Sequence, residues 1–181
     1  MHKKNTSRRR TAAWIAGAAA GPLALLGVVA GSNAQSGDEF RPEATIVDIM
    51  AGMVMPFAQV VWDAVVYDEP IHGPETEEGW QQARNAALAL AESANLLIIP
   101  GREVAGPDKE AAPGELSPEE IQALITKNRD AWVGHAHALH AIAMQAVEAI
   151  DARDVMKLSD VSGSLDAVCE GCHVQFWYPN Q

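Results

Sequence analysis

Apolar residues recur every three or four positions along most of the chain, which is the spacing of a helix with one buried face. The first such segment spans residues 44–67 and contains Pro56. The ring of Pro56 would clash with the carbonyl of Gly52 in a regular helix, so we expect a kink or short break just after Met53. The predicted buried face of this segment is Ile46, Met50, Met53, Phe57, Val60 and Ala64.

Three further long segments show the same period, at residues 76–99, 129–152 and 154–177, and a short helix at 117–127 leads into the second of these. Their starts are marked by polar caps: Thr76 for one, and for the short helix a capping box that begins at Ser117. The predicted buried face of 129–152 is Trp132, Ala136, Leu139, Ala143, Ala146 and Ile150. No segment alternates as a strand does, so we predict an all-α fold, an antiparallel four-helix bundle.

The N-terminus has a different pattern, which is typical of an export signal. Five of the 13 basic residues lie in the first ten positions, and an apolar run follows at residues 12–31. Small residues then end at Ala34, as a signal peptidase requires. We predict a signal peptide at 1–34, an N-terminal tail at 35–43 and one domain at 44–181. The alternative is an uncleaved anchor, because about 20 apolar residues can span a bilayer.

The overall charge excludes one class of function. The chain carries 24 acidic and 13 basic side chains, a net charge of −11, and removal of residues 1–34 would leave 8 basic residues and a net charge of −16. A sequence-independent nucleic-acid binder needs a basic face, so we expect no nucleic-acid partner. A strongly negative field instead steers a protein towards a basic partner.

One motif carries specific chemistry: Cys169-Glu170-Gly171-Cys172-His173. The pattern C-x-x-C-H is the attachment sequence of c-type haem, in which both thiols bind the porphyrin covalently and the imidazole is the proximal iron ligand. Within a helix, positions 169, 172 and 173 are related as i, i+3 and i+4 and so share one face. The sequence therefore predicts one covalent haem c, with its iron, held by Cys169, Cys172 and His173.

Three other interpretations of the two cysteines are weaker. A thioredoxin-like dithiol is expected at the start of a helix that follows a strand, and no strand is predicted here. A structural zinc site needs further ligands close by, and the chain has no second cysteine pair. A plain disulfide leaves His173 without a role.

The motif and its position near the C-terminus of a helical, exported chain resemble the class II cytochromes c, which include the cytochromes c′ and their low-spin relatives. The resemblance covers about residues 40–178 and, outside the motif, rests on the layout of the helices. It implies a periplasmic haem protein that transfers electrons or binds gases and that often forms a homodimer. The chain departs from the family pattern at Trp177, where a basic residue commonly follows the aromatic one.

The distal side of the haem decides the function, because Met/His ligation gives an electron carrier whereas an open site binds small ligands. The resemblance implies that the distal residue comes from the first helix, where Met50 and Met53 lie on the predicted buried face. We favour Met50, which precedes the irregularity near Pro56. Bis-His ligation through His135 is a further alternative, since His135 falls about 40° from Leu139 on the helical wheel.

We therefore expect a periplasmic monohaem cytochrome that carries one electron and is not an enzyme. Its partner would be a redox protein with a basic docking face, and no stable membrane insertion is expected once the signal is cleaved. A homodimer is expected by analogy with the family. The alternative function is a five-coordinate, cytochrome c′-like protein that binds nitric oxide or carbon monoxide.

Overall fold

A computed structural model describes residues 40–179, and these residues fold into helices joined by loops. Within this range there is no β-strand, only an isolated bridge between Val66 and His72. The predicted all-α class is therefore confirmed. The predicted signal peptide at 1–34 and most of the predicted tail lie outside the described residues. The elements are α1 (Ile46–Ile49), a π-helical segment (Met50–Val54), α2 (Met55–Asp63), α3 (Glu77–Leu97), α4 (Pro118–Lys127), α5 (Arg129–Asp151) and α6 (Val155–Phe176).

Local signals set the starts of the helices. The side chain of Thr76 accepts a hydrogen bond from the backbone N–H of Gly79 at the start of α3. A reciprocal capping box between Ser117 and Glu120 opens α4, as the sequence predicts. The predicted break between α4 and α5 lies at Asn128, whose φ of −118° and ψ of 44° are not helical. Each of these caps satisfies backbone donors that the first turn of a helix leaves without a partner.

The first helical stretch is irregular where the sequence predicts, but in a different form. Instead of a kink, the helix widens into a π turn, in which the N–H of Met55 donates to the carbonyl of Met50. This wide turn comes immediately before Pro56, which has no N–H to donate. The helix then ends at Asp63, four residues before the predicted end.

The π turn also changes which face of this helix is buried. Ile49 and Val54 are consecutive core residues five positions apart, whereas an α-helix would place them three or four apart. The predicted buried face was therefore wrong in its middle. The core residues of this stretch are Ile46, Ile49, Val54, Ala58, Val61, Ala64 and Val65, while Met50, Met53, Phe57 and Val60 are half-buried at its sides.

The core forms where α3 and α5 pack together along the most extensive helix–helix contact in the domain. Both helices present many alanines to this contact, and small side chains let two helices approach closely. The predicted buried face of α5, from Trp132 to Ile150, is confirmed at every position. α5 also packs on α6, and α2 contacts both α3 and α6.

Long connections are tied to the helices by backbone hydrogen bonds. The N–H groups of Ile46 and Val47 donate to the carbonyls of Glu103 and Val104, at 2.9 and 3.0 Å. The N–H of Leu116 donates to the carbonyl of Trp177 at 2.8 Å, so the loop before α4 is joined to the end of α6. This loop therefore borders the region where the Cys-x-x-Cys-His motif lies.

By length and composition alone, the stretch Ile46–Asp63 passes a test for a membrane-spanning helix among the described residues. Core helices of soluble proteins, which are mostly buried, pass the same test, and 28% of this stretch is buried. Here the stretch packs against α3 and α6 through its core residues.

Candidate functional site

The three motif side chains line a cavity on one face of α6. Cys169, Cys172 and His173 are each half-buried, and the helix that carries them runs without interruption from Val155 to Phe176. The cavity has a volume of about 90 Å³ and is partly open to solvent. The i, i+3, i+4 spacing therefore brings both sulfurs and the imidazole to a single pocket, as the sequence predicts.

The other residues that line the cavity come mainly from the first helical stretch and α5, with one each from α3 and α6. They are Met50, Val54, Met55, Ala58, Trp62, Leu97, Trp132, His135, Ala136, Leu139 and Val168. Nearly all of these side chains are apolar. An apolar lining with a few polar atoms at one wall is typical of a site for an apolar group that is fixed at that wall, so the donor set and the chemistry of the lining fit a covalently held haem.

The methionines that line the cavity are not the pair that the sequence predicts. Met50, the favoured distal candidate, lines the cavity from the π-helical segment. Met53, the second candidate, is half-buried but is not among the lining residues. Met55 lines the cavity as well and is 52% exposed at its rim. Sequence reasoning missed Met55, because on a regular helix it would lie about 140° from Met50.

His135 also lines the cavity, but its ring has other partners. Its Nε2 lies 2.7 Å from Oε1 of Gln175 on α6, and its ring packs edge-to-face on Phe176, with the centroids 5.9 Å apart. A side-chain amide and an aromatic ring therefore already hold this imidazole. With Nε2 engaged by Gln175, only Nδ1 of this half-buried ring would remain for a metal.

The end of α6 is anchored next to the motif by aromatic packing. Phe176 is completely buried and meets Trp132 in a T-shaped contact at 5.3 Å between ring centroids. The indole N–H of Trp132 donates to the carbonyl of Leu97 at 3.0 Å. α6 is thus locked to α5 and to the end of α3 within one turn of His173.

The cysteine thiols are not activated. Burial raises the pKa of Cys169 to about 11 and that of Cys172 to about 12, with smaller contributions from Asp166 to the first and from Cys169 to the second. Dithiol oxidoreductases need the opposite, a thiolate stabilised at neutral pH. The thiols also lie in the second half of α6 and not at its start. Both features argue against a thioredoxin-like site.

Burial favours the neutral form of the His173 imidazole. It lowers the pKa of His173, although the carboxylates of Glu170 and Glu115 act in the other direction. A neutral imidazole has the free lone pair that metal ligation requires. The rings of Trp177 and Tyr178 lie 6.1 and 6.0 Å from that of His173 and partly enclose it.

A second groove borders the same wall. Met50, Met55 and His173 line it together with Lys109, Glu115 and Tyr178, among other residues. The hydroxyl of Tyr178 donates to Glu170 at 2.7 Å, which raises the pKa of Tyr178 to about 12. Lys109 belongs to the long loop between α3 and α4, and no sequence signal indicated that it lies near the motif.

Residues 40–179 contain no group of three or more His, Cys, Asp or Glu side chains placed to hold a metal ion by themselves. A structural zinc site would need such a group. No family model, no curated protein and no solved structure matches the chain. The interpretation of the site therefore rests on its residues and their geometry.

Proposed function

We propose that this protein is a monohaem c-type cytochrome of the class II kind that carries one electron. Cys169 and Cys172 would bind haem c through thioether bonds, and His173 would be the proximal iron ligand. The observation that carries the proposal is the convergence of two thiols and one imidazole on the wall of a single apolar cavity. The same interpretation includes an antiparallel four-helix bundle, which is supported by the contacts of α2 with α3 and α6 and of α5 with α3 and α6.

Bound haem would supply the one-electron redox chemistry. The chain's own residues bind, orient and enclose it. Val54, Ala58 and Leu139 would cover bound haem with apolar surface, since they line the cavity. The contact between Phe176 and Trp132 fixes the part of α6 that carries His173, and burial lowers the pKa of this imidazole, which favours the neutral form that binds a metal.

Met50 remains our proposed distal ligand, because it is half-buried and lines the cavity. Met55 replaces Met53 as the second candidate, since Met55 lines the cavity and Met53 does not. His135 ranks below both because Gln175 and Phe176 already engage its ring. A thioether on the distal side would give a low-spin carrier.

One observation favours the alternative, a five-coordinate protein that binds nitric oxide or carbon monoxide. Met55 is 52% exposed, so about half of its side chain is in solvent rather than packed against the cavity. An open distal position beside apolar side chains would admit a small gas.

The location and partners belong to the same proposal. The basic start, apolar run and small residues up to Ala34 are typical of an exported protein, and c-type cytochromes of this class are periplasmic. The acidic chain would meet a redox partner through a basic face on that partner. We propose a carrier rather than an enzyme, with a homodimer as its assembly.

The decisive experiment is expression of the full chain together with a haem-attachment system. After denaturing electrophoresis, a haem stain should mark the wild-type band, since only covalent haem survives denaturation. The double variant Cys169→Ala/Cys172→Ala should give an unstained band, and Met53→Ala, outside the cavity, should stain like the wild type. A colourless wild-type protein with two free thiols would refute the proposal.

Carbon monoxide then separates the two functions. We expect the absorption spectrum of the reduced wild-type protein to change little when the gas is added, because Met50 occupies the distal side. A large shift in the wild type would favour the gas-binding alternative instead.

A further inference from the structure

A second cavity lies on the far side of Trp132 and Leu97, two residues that contribute to both cavities. It holds about 690 Å³ of empty space, part of which is open to solvent. We call it the arginine pocket. Its lining residues are Ile46, Leu97, Ile99, Pro100, Gly101, Arg102, Gln122, Ile125, Thr126, Arg129 and Trp132.

Two guanidinium groups converge in this pocket on the end of α3. Arg102 is only 9% exposed; its Nε donates to the carbonyl of Leu96 at 2.8 Å, and a terminal N–H donates to the carbonyl of Ala44. A terminal N–H of Arg129 donates to the carbonyl of Ile98. An arginine has five N–H donors. With two used by Arg102 and one by Arg129, most of their donors have no protein partner within residues 40–179.

The positive charge of this pocket is not balanced by carboxylates. No Asp or Glu lines it, although the chain has 24 acidic side chains. Within the described part of the chain, the cations that form ion pairs are Arg84, Arg153 and Lys157, all at other places. The C-terminal end of α3 offers about half an elementary negative charge against two full positive ones. A net positive charge from the buried Arg102 and the half-buried Arg129 therefore lies in this partly open pocket.

We propose that the arginine pocket binds a small oxyanion, a carboxylate or a phosphate. Guanidinium groups match both anions, because two parallel N–H donors meet two oxygens. An anion here would accept hydrogen bonds from some of the remaining donors of Arg102 and Arg129 and offset their charge, and the charge of the buried Arg102 is costly to keep without a counter-ion. The polar side chains of Gln122 and Thr126 border the same space. The proposal does not depend on whether the protein carries haem.

Titration calorimetry tests this binding directly on the purified full chain, in a buffer free of phosphate and carboxylates. Inorganic phosphate and acetate are titrated separately, with chloride at equal ionic strength as the reference. We expect saturable binding of one of the two oxyanions at one site, and the anion that binds shows whether the ligand is a phosphate or a carboxylate. The absence of saturable binding for both, or equal heats with chloride, would overturn the proposal.

Charge-removing variants locate the site. Arg129→Gln should weaken binding of the oxyanion at least tenfold, since it removes one fork. The matched control is Arg84→Gln, which removes an arginine that pairs with Asp151 at the surface, and it should bind like the wild type. Equal weakening by the two variants would show a general charge effect and refute the site.

A second pair of variants tests the same site independently, in case Arg129→Gln fails to fold. Thr126 is exposed on α4 and lines the pocket, so Thr126→Glu would place a carboxylate beside the guanidiniums without disturbing the core. We expect Thr126→Glu to abolish oxyanion binding and Thr126→Gln to preserve it. Unchanged binding in Thr126→Glu would contradict the assignment.

Discussion

The two walls of the main cavity differ in how well residue spacing in the sequence predicts which side chains line them. On α6 the helix is regular, so residues spaced i, i+3 and i+4 line one pocket. On the first helical stretch, the π turn between Met50 and Met55 adds one residue to the repeat, so residues five apart share the cavity. The spacing of a motif therefore predicts which residues share a face only where the helix that carries the motif is regular.

Single residues near the two walls also differ in burial. Phe176, one turn beyond the motif, is fully buried against Trp132. On the first helical stretch, Val54 and Ala58 belong to the core, whereas Met55 is 52% exposed. Met55 is therefore the cavity-lining residue of this stretch that is held least by packing.

The largest expected effect is a difference in free energy of unfolding between two variants, each of which lacks one residue of the first helical stretch. In a Pro56→Ala background, deletion of Gly52 converts the wide turn into an ordinary one and leaves the buried face aligned, because Gly52 is exposed and a Cβ there would meet nothing within 4 Å. We expect a folded protein whose free energy of unfolding changes by less than about 2 kcal/mol, as for an ordinary single mutation.

The matched control deletes Gln59 from the regular helix α2 in the same background. This deletion rotates the following core residues, Val61 and Ala64, by about 100° away from the core. We expect a loss of more than about 4 kcal/mol or no folded protein. Circular dichroism during denaturant unfolding measures both variants, and similar losses in the two would contradict the role of the π turn.

Truncation of an aromatic anchor should come next in size. Phe176→Ala removes a fully buried ring from its contacts with Trp132 and His135, so we expect a loss of about 3–5 kcal/mol in the free energy of unfolding. Met55→Ala, on the other wall, should cost less than about 1 kcal/mol because its side chain is half in solvent. Chemical denaturation gives both values, and equal losses would show that the walls are packed alike.

Replacement of the methionines should then change the spectrum of the haem-loaded protein more than its stability. We expect Met50→Ala to open the distal side, so that the reduced protein gains a large spectral response to carbon monoxide. Met53→Ala should respond like the wild type, since Met53 does not line the cavity. If Met55→Ala gains the response and Met50→Ala does not, the distal ligand is Met55.

The smallest effect concerns ionisation beside the motif. The hydrogen bond from Tyr178 to Glu170 favours the neutral phenol and raises its pKa to about 12. The bond's contribution to stability is present below pH about 10, the ordinary pKa of tyrosine, and is lost as the pH rises from there to about 12. Glu170→Gln should bring this pKa back towards 10.

Ultraviolet titration of the phenolate measures this change. The chain has two tyrosines, so a Tyr67→Phe background leaves Tyr178 as the only one that titrates. Glu75→Gln is the control, because Glu75 is exposed and makes no contact with Tyr178. An unshifted titration in Glu170→Gln would show that the hydrogen bond does not set this pKa.

Much of the fold followed from local signals in the sequence. These signals are the caps at Thr76 and Ser117 and the buried face of α5. Each depends on residues within a turn or two of each other, so it can be predicted without knowledge of the tertiary structure. The convergence of Cys169, Cys172 and His173 is of the same kind, because one regular helix fixes it.

The remaining features depend on contacts between residues far apart in the chain. The sequence located the irregularity near Pro56 but not its form, and only burial against α3 decided that Ile49 and Val54 both enter the core. Tertiary packing also brought Lys109 to the motif, Gln175 to His135, and Arg102 and Arg129 into one pocket. Helical periodicity extends only along one element, whereas the packing of separate elements decides which side chains from different parts of the chain meet.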